Sequence, residues 1–126
     1  MMAVAPGCEL EVERGPDWLM VKIRSLDDAS SESFPLADEL WSLMERHLAH
    51  RLCLELDELR LLNSYVIGQL IRLHKMVSDR GGLVRLCGLS PYNRRVLRTC
   101  HLDDVFLPYA SRQEAILGCS HPRHPR

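Results

Sequence analysis

The chain has 126 residues, 46% of them hydrophobic and 26% charged, and its formal net charge is −1. This length is enough for one domain with its own core, and this composition argues against a disordered chain. The near-neutral charge argues against a generic nucleic-acid binder, which is clearly basic.

The cysteine pattern indicates a reducing compartment. The count is odd, no Cys-x-x-Cys pair occurs, and Cys53 and Cys87 lie inside apolar runs. The first seven residues are short for a signal peptide and lack its basic start, and no apolar run approaches the ~18 residues of a membrane span. We therefore expect a cytoplasmic protein without a membrane segment.

The first part of the chain predicts a β-hairpin and then a helix. Charged and apolar side chains alternate over 9–13 and 18–24, on either side of a Gly-Pro-Asp turn at 15–17. A loop rich in Ser and Asp follows, and its Ser33 is a candidate N-cap. Apolar residues then recur at helical spacing over 36–49.

The remainder alternates between strand and helix patterns. The predicted elements are a strand over 51–56, a helix from 63 to the Gly81-Gly82 pair, a strand over 83–87, a helix capped by Ser90-Pro91, a strand over 105–107 and a short helix capped by Ser111. The helix after Ser90 is expected to turn Val96, Leu97 and Cys100 toward the core.

This order predicts an α/β fold with a mixed sheet of four or five strands, in which an opening hairpin precedes alternating strands and helices. The alternation implies parallel strands with right-handed crossovers, and the hairpin supplies at least one antiparallel strand. We expect one domain over 1–117. The segment 118–126 contains two His-Pro-Arg repeats and little to bury, which predicts a disordered basic tail.

Two predicted helix starts, at Asn63-Ser64 and Ser90-Pro91, follow parallel strands at the edge where such sheets bind ligands and partners. Unpaired N–H groups and a partial positive charge make a helix start tolerant of a phosphate. A phosphate there would add about −1.5 to −2 charge units. Phosphorylation at this edge would therefore change the charge of the partner-binding surface without destabilising the fold.

Between Leu52 and Ile116 the sequence resembles the STAS domain, in the single-domain form found as bacterial anti-sigma factor antagonists. The motifs that carry the resemblance are Leu54-Glu55-Leu56-Asp57-Glu58-Leu59, Asn63-Ser64 with Gly68, Leu70 and Lys75, Asp79-Arg80-Gly81-Gly82, Leu86-Cys87-Gly88-Leu89-Ser90-Pro91, Arg95-Val96-Leu97, Leu102-Asp103-Asp104-Val105-Phe106 and Ser111-Arg112-Gln113-Glu114-Ala115. The resemblance implies a non-catalytic partner switch without a cofactor. Such an antagonist binds an anti-sigma factor or a serine/threonine switch kinase, phosphorylation of a serine ends the binding, and a PP2C-type phosphatase restores it.

The family's phosphorylation site reads Asp-Ser-Ser/Thr-Gly, and the corresponding residues here are Asn63, Ser64, Tyr65 and Val66. The resemblance therefore implies Ser64 as the phosphorylated residue. Asn63 keeps the size and capping ability of Asp without its charge, and the two residues after Ser64 are bulkier than in the family. The expected partner-binding surface consists of Asn63, Ser64, Tyr65, Val66, Ser90, Pro91 and Tyr92.

Several alternatives stay open. Asn63 and Ser64 can be a simple helix cap in a constitutive STAS scaffold. The same helix starts can serve a small-molecule or nucleotide-binding domain. A small α/β enzyme is the third alternative, and it would need convergent polar side chains in a deep pocket, of which the sequence offers few.

Metal-binding and catalytic candidates are weak. His47, His50 and Cys53 are spaced by three residues, but the predicted helix ends between His50 and Cys53, so no metal site is expected. Cys100 and His101 are neighbours on a helix and do not face each other, which argues against a nucleophile and its base. We expect no catalytic residue.

Basic residues cluster on two successive predicted helices. They are Arg72, Lys75 and Arg80 on the first and Arg94, Arg95 and Arg98 on the second. Two solvated helix faces are the simpler interpretation, and a docking strip for an acidic partner is the alternative. Nucleic acid is not expected, because aromatic residues make up only 6% of the chain and none interleaves with the cluster.

Overall fold

The computed structural model describes residues 2–5, 7–26 and 34–118. Within them, five strands form one sheet in the order β1-β2-β3-β4-β5, with four helices. The strands are β1 (Met2–Ala5), β2 (Cys8–Arg14), β3 (Leu19–Leu26), β4 (Arg51–Glu55) and β5 (Leu83–Cys87). The helices are α1 (Leu36–Arg46), α2 (Ser64–Asp79), α3 (Pro91–Thr99) and α4 (Arg112–Leu117). The candidate cap Ser33 and residues 119–126 of the predicted tail (118–126) lie outside the described residues.

Strand directions follow from the connections between the strands. β2 and β3 are antiparallel and are joined by a tight turn, in which the Gly15 N–H donates to the Trp18 carbonyl at 2.8 Å. β4 is parallel to both β3 and β5, because a crossover containing a helix separates each pair. The predicted mixed sheet with its opening hairpin is confirmed. β1, which pairs antiparallel with β2, was not predicted.

Side-chain alternation gives the sheet two different faces. One face is fully apolar, with Leu19, Leu52, Leu54 and Leu86 at 0% exposure, and it forms the main core with the buried stripes of α1 and α2. The other face carries a smaller cluster covered by α4. Its buried members are Trp18, Met20, Cys53, Cys87, Tyr109 and Ala115. Within the described ranges, no helix combines the length and apolarity that crossing a bilayer requires.

The strand predicted over 105–107 is wrong. The chain turns there instead, with the Phe106 N–H donating to the Leu102 carbonyl at 2.8 Å. The turn places the Phe106 side chain in the core at 1% exposure, while Val105 and Leu107 remain 41% and 51% exposed. Extended pairing is limited to a single parallel bridge further on, between Tyr109 and β5.

The start of α1 also differs from the prediction. Pro35 is the capping residue, and it supplies no side-chain hydrogen bond. The Ala37 N–H instead donates to Oε1 of Gln69, at 2.9 Å, so a side chain of α2 satisfies a backbone group of α1.

Candidate partner-binding site

Ser64 is the first residue of α2, and it is exposed. Asn63 before it has an extended backbone and caps the helix, because its Oδ1 accepts a hydrogen bond from the Val66 N–H at 2.8 Å. The first turn contains no acidic residue, so no carboxylate of the helix itself offsets the partial positive charge there. The Ser64 hydroxyl therefore stands in solvent at a position that favours added negative charge.

The next two residues point toward the protein. The Tyr65 hydroxyl donates to the Phe34 carbonyl at 2.9 Å, and the residue is half-buried. Val66 is 2% exposed and belongs to the main core. The expectation that Val66 contributes to a contact surface is therefore wrong, because the third position of this helix faces the sheet. Tyr65 can offer a partner only the part of its ring that remains exposed.

The second predicted helix start has the expected geometry. Ser90 caps α3, with its Oγ accepting a hydrogen bond from the Asn93 N–H at 3.1 Å. Pro91 occupies the first turn, where its missing N–H costs nothing and its fixed φ suits the helix. Pro91 and Tyr92 are exposed, Tyr92 at 54%. Two of the predicted contact residues thus present side chains to solvent at this start.

A buried asparagine connects the two helix starts. Asn93 has 0% exposure, and its Oδ1 accepts from the Leu62 N–H at 3.1 Å while its Nδ2 donates to the Leu59 carbonyl at 3.2 Å. These bonds hold the loop before Ser64 against the first turn of α3. The sequence pattern missed Asn93, although its spacing from Val96 and Leu97 puts a polar residue on the predicted inward face. Cys100, predicted to face inward, is exposed.

The loop after β4 is held from two further directions. Gly88, with φ of 75°, lies so close to this loop that an added Cβ would be 3.1 Å from the Asp57 Cβ. Nζ of Lys22 on β3 lies 3.4 Å from a carboxylate oxygen of Asp57 and 3.8 Å from one of Glu58. Arg24 adds a contact of 3.4 Å from its Nε to Glu58. The carboxylates of Asp57 and Glu58 therefore connect this loop to β3.

Arg112 of α4 joins the short helix to the sheet. Its guanidinium contacts Glu55 of β4 at 2.7 Å and Glu13 of β2 at 2.9 Å. Beneath α4, the sulfurs of Cys53 and Cys87 are 3.8 Å apart, and both side chains are buried. The hydrogen bond with the Cys53 sulfur, together with burial, raises the pKa of the Cys87 thiol above its ordinary value. Both cysteines are thus core residues, as the sequence predicts.

The domain also has concave surface away from the edge around Ser64. Two grooves of about 290 and 260 Å³ share Leu48, Ala49 and His50, next to the start of β4 and so away from the Ser64 edge. Among the residues that the structure describes, no group of three or more His, Cys, Asp or Glu side chains is placed to hold a metal ion. The edge around Ser64 is shaped by two helix starts and a loop, which suits contact with another protein surface.

Comparison with known proteins agrees with this architecture. Residues 9–115 match the family model of the STAS domain, which is most of the chain. No curated protein sequence matched significantly. Among solved structures, a putative anti-sigma factor antagonist from Thermotoga maritima is similar, with a TM-score of 0.75 at 18% identity over 86% of this chain and 92% of that one.

Two further solved structures share the fold. An anti-sigma-factor antagonist (STAS) domain protein from Planctomyces limnophilus has a TM-score of 0.70 at 23% identity, covering 86% of this chain and 96% of that one. The Bacillus cell fate determinant SpoIIAA, solved in its phosphorylated form, has a TM-score of 0.62 at 16% identity, covering 86% and 97%. Since the family model spans well over half of the sequence, the chain belongs to the STAS domain family.

Proposed function

We propose that this STAS domain is a non-catalytic signalling module of the anti-sigma factor antagonist type, whose partner is an anti-sigma factor or a serine/threonine switch kinase. The partner contacts the edge formed by Asn63, Ser64, the exposed part of Tyr65, Ser90, Pro91 and Tyr92. This is the edge at the carboxyl ends of β4 and β5, where partners meet parallel sheets. Proteins described as anti-sigma factor antagonists share the fold, which supports the proposal.

Ser64 is the regulated residue in this proposal. The observation that carries it is the exposed hydroxyl at the first position of α2, beside a capping Asn63. A phosphate there adds about −1.5 to −2 charge units at a helix start that tolerates them, so the fold persists while the partner surface changes its charge. A PP2C-type phosphatase would reverse the change. Phosphorylation of the similar SpoIIAA is consistent with this role.

One observation favours a constitutive scaffold as the second candidate. The Tyr65 hydroxyl is bonded to the Phe34 carbonyl, which ties down the residue that follows the phosphoacceptor. A kinase that requires this segment to change conformation would have to break that hydrogen bond. In this second case the same edge binds its partner permanently, and Ser64 is an ordinary helix residue.

Labelling with radioactive ATP separates the two candidates. The protein is incubated with γ-labelled ATP and extract of its source cells, and the labelled residue is mapped by mass spectrometry. Ser64→Ala should abolish labelling, whereas Ser78→Ala, an exposed serine near the other end of α2, should not. Label that persists in Ser64→Ala would overturn the site assignment, and an unlabelled wild-type protein would favour the scaffold.

Binding provides the second test. Ser64→Asp should weaken capture of the anti-sigma factor, while the free energy of unfolding stays within about 1 kcal/mol of wild type because a carboxylate is favourable at a helix start. Capture that is unchanged by Ser64→Asp, and equal to that of Ser78→Asp, would place the contact surface elsewhere.

A further inference from the structure

Of the six basic residues of the predicted cluster, two have partners within the domain, whereas Lys75 of α2 and the three arginines of α3 are exposed and form no ion pair with a described residue. On α2, Arg72 pairs with Asp38 at 3.3 Å, and at the C-cap of this helix the Arg80 guanidinium lies 4.9 Å from the centre of the Trp41 ring. Both therefore have structural partners within the domain. The arginines of α3 differ, since no described residue forms an ion pair with them and all three are exposed.

The three arginines of α3 point in similar directions. Arg94 and Arg98 are one helical turn apart, and Arg95 is displaced by about 100°, so all three lie within one arc of the helix. The inward side of α3 is occupied by the buried Asn93 and Leu97, which leaves this arc facing solvent.

A fourth arginine joins them from the neighbouring loop. Arg60 lies between Leu59 and Leu62, both of which Asn93 binds through their backbone groups, so its loop is fixed beside the start of α3. Arg60 is exposed and, like the others, pairs with no described carboxylate. We call Arg60, Arg94, Arg95 and Arg98 the arginine surface.

The stability of α3 accounts for Arg98, which lies in the last turn where positive charge favours the helix dipole, but not for Arg94 and Arg95. The first turn of α3 contains no acidic residue, and Arg94 and Arg95 follow it directly. Positive charge near a helix start opposes the helix dipole, whereas carboxylates there would favour it. Four like charges on adjoining elements also repel one another. An opposite charge supplied by another molecule would relieve both effects.

We infer that the arginine surface docks an acidic segment of a protein partner, as an extension of the edge around Ser64. Exposed apolar groups, Leu61 at 51% and Tyr92 at 54%, lie beside the arginines and suit a polypeptide that carries both carboxylates and apolar side chains. The overall charge of −1 disfavours nucleic acid, whose binders are clearly basic.

This inference deepens the proposed function and rests on it in one respect. The loop that carries Arg60 leads directly into α2, so a phosphate on Ser64 would stand near the arginine surface. It would repel an acidic partner and attract the guanidinium groups that the partner uses. An acidic partner therefore explains why phosphorylation would end binding.

A fluorescein-labelled acidic peptide is a direct probe. The peptide carries six glutamates interspersed with leucine and phenylalanine, and its affinity is measured by fluorescence anisotropy with the full chain. Arg94→Glu/Arg95→Glu should weaken binding by about tenfold or more, and raising NaCl from about 50 to 300 mM should weaken wild-type binding several-fold.

The matched control is Arg46→Glu/Lys75→Glu. It makes the same change in net charge at exposed positions, and Lys75 is about 16 Å along α2 from Ser64. Its affinity should stay within about twofold of wild type. Circular dichroism melting checks that both variants fold. The inference would be overturned if the peptide does not bind saturably, or if both double variants lose the same affinity. It would also be overturned if the protein binds a duplex oligonucleotide or phosphatidylglycerol vesicles more tightly than the peptide.

Ser64→Asp in the same assay separates the two proposals. If Arg94→Glu/Arg95→Glu weakens binding and Ser64→Asp does not, the arginine surface stands and the switch at Ser64 fails. If Ser64→Asp weakens binding and the double variant does not, the arginine surface is refuted and the Ser64 edge stands.

Discussion

Replacing Asn93 with alanine removes both side-chain hydrogen bonds that join α3 to the loop before Ser64. The Leu62 N–H and the Leu59 carbonyl would each lose a buried partner. A buried backbone group without a partner costs about 1–3 kcal/mol, and local relaxation recovers part of the cost. We therefore expect Asn93→Ala to lower the free energy of unfolding by about 2–4 kcal/mol.

Urea denaturation followed by circular dichroism measures this loss. Ser90→Ala is the matched control, because it removes a hydrogen bond from the same helix start without touching the loop. It should cost only about 1 kcal/mol, as is usual for an N-cap. Hydrogen exchange at the Leu62 amide should accelerate in Asn93→Ala alone. A loss below about 0.5 kcal/mol for Asn93→Ala, or one equal to that of Ser90→Ala, would refute the role given to Asn93.

Three further predictions test the packing of the domain. Gly68→Ala should stabilise the domain by about 0.5–1 kcal/mol, because Gly68 lies inside a helix and an added Cβ meets nothing within 4 Å. Gly82→Ala should destabilise the domain, because its Cβ would collide with the His50 carbonyl oxygen. Urea denaturation compares the two variants, and equal effects would contradict the reasoning. Arg112→Ala should cost about 1 kcal/mol in the same measurement, since Glu55 is mostly buried but Glu13 and Arg112 itself are exposed to solvent. A neutral result would show that α4 docks without the ion pairs. The hydrogen bond between the two buried thiols raises the pKa of Cys87 and lowers the pKa of Cys53, so in the folded chain Cys87 keeps a proton that the unfolded chain loses near its ordinary value of 9.0. Thermal stability should therefore fall as pH rises from about 9 to 10.5, and the fall should be shallower in Cys87→Val; an unchanged slope would contradict the assignment.

Local patterns were sufficient to predict most of the architecture. The alternation around Gly15, the apolar strand at 83–87 and the caps at Asn63, Ser90 and Ser111 each specify their element through neighbouring residues, and the structure has all of them. These signals act over a few residues, so a single sequence reveals them.

Features that depend on distant contacts were missed. The segment at 105–107 is apolar and resembles a strand, but the burial of Phe106 makes it turn. Val66 fits a helix whether it faces solvent or the sheet, and only the packing of α2 decides that it is buried. Asn93 is informative only once its partners, more than 30 residues earlier, are known.

The structure also changed the interpretation of the basic cluster. From sequence, all six residues are equivalent charges on helix faces. Ion pairing of Arg72 and stacking of Arg80 assign those two to the fold. Lys75 and the α3 arginines remain without an ion pair to a described residue, and the α3 arginines lie beside the loop of Arg60. Pairwise geometry of this kind cannot be inferred from helical periodicity alone.

The most direct test measures affinity for the anti-sigma factor of the source organism. It compares the unmodified protein with protein that carries phosphoserine at position 64, introduced during translation. Isothermal titration calorimetry should show binding at least about tenfold weaker for the phosphorylated form, with a melting temperature close to that of the unmodified form. Equal affinities, or weaker binding accompanied by a collapse of thermal stability, would contradict the claim that charge at Ser64 switches the partner surface while sparing the fold.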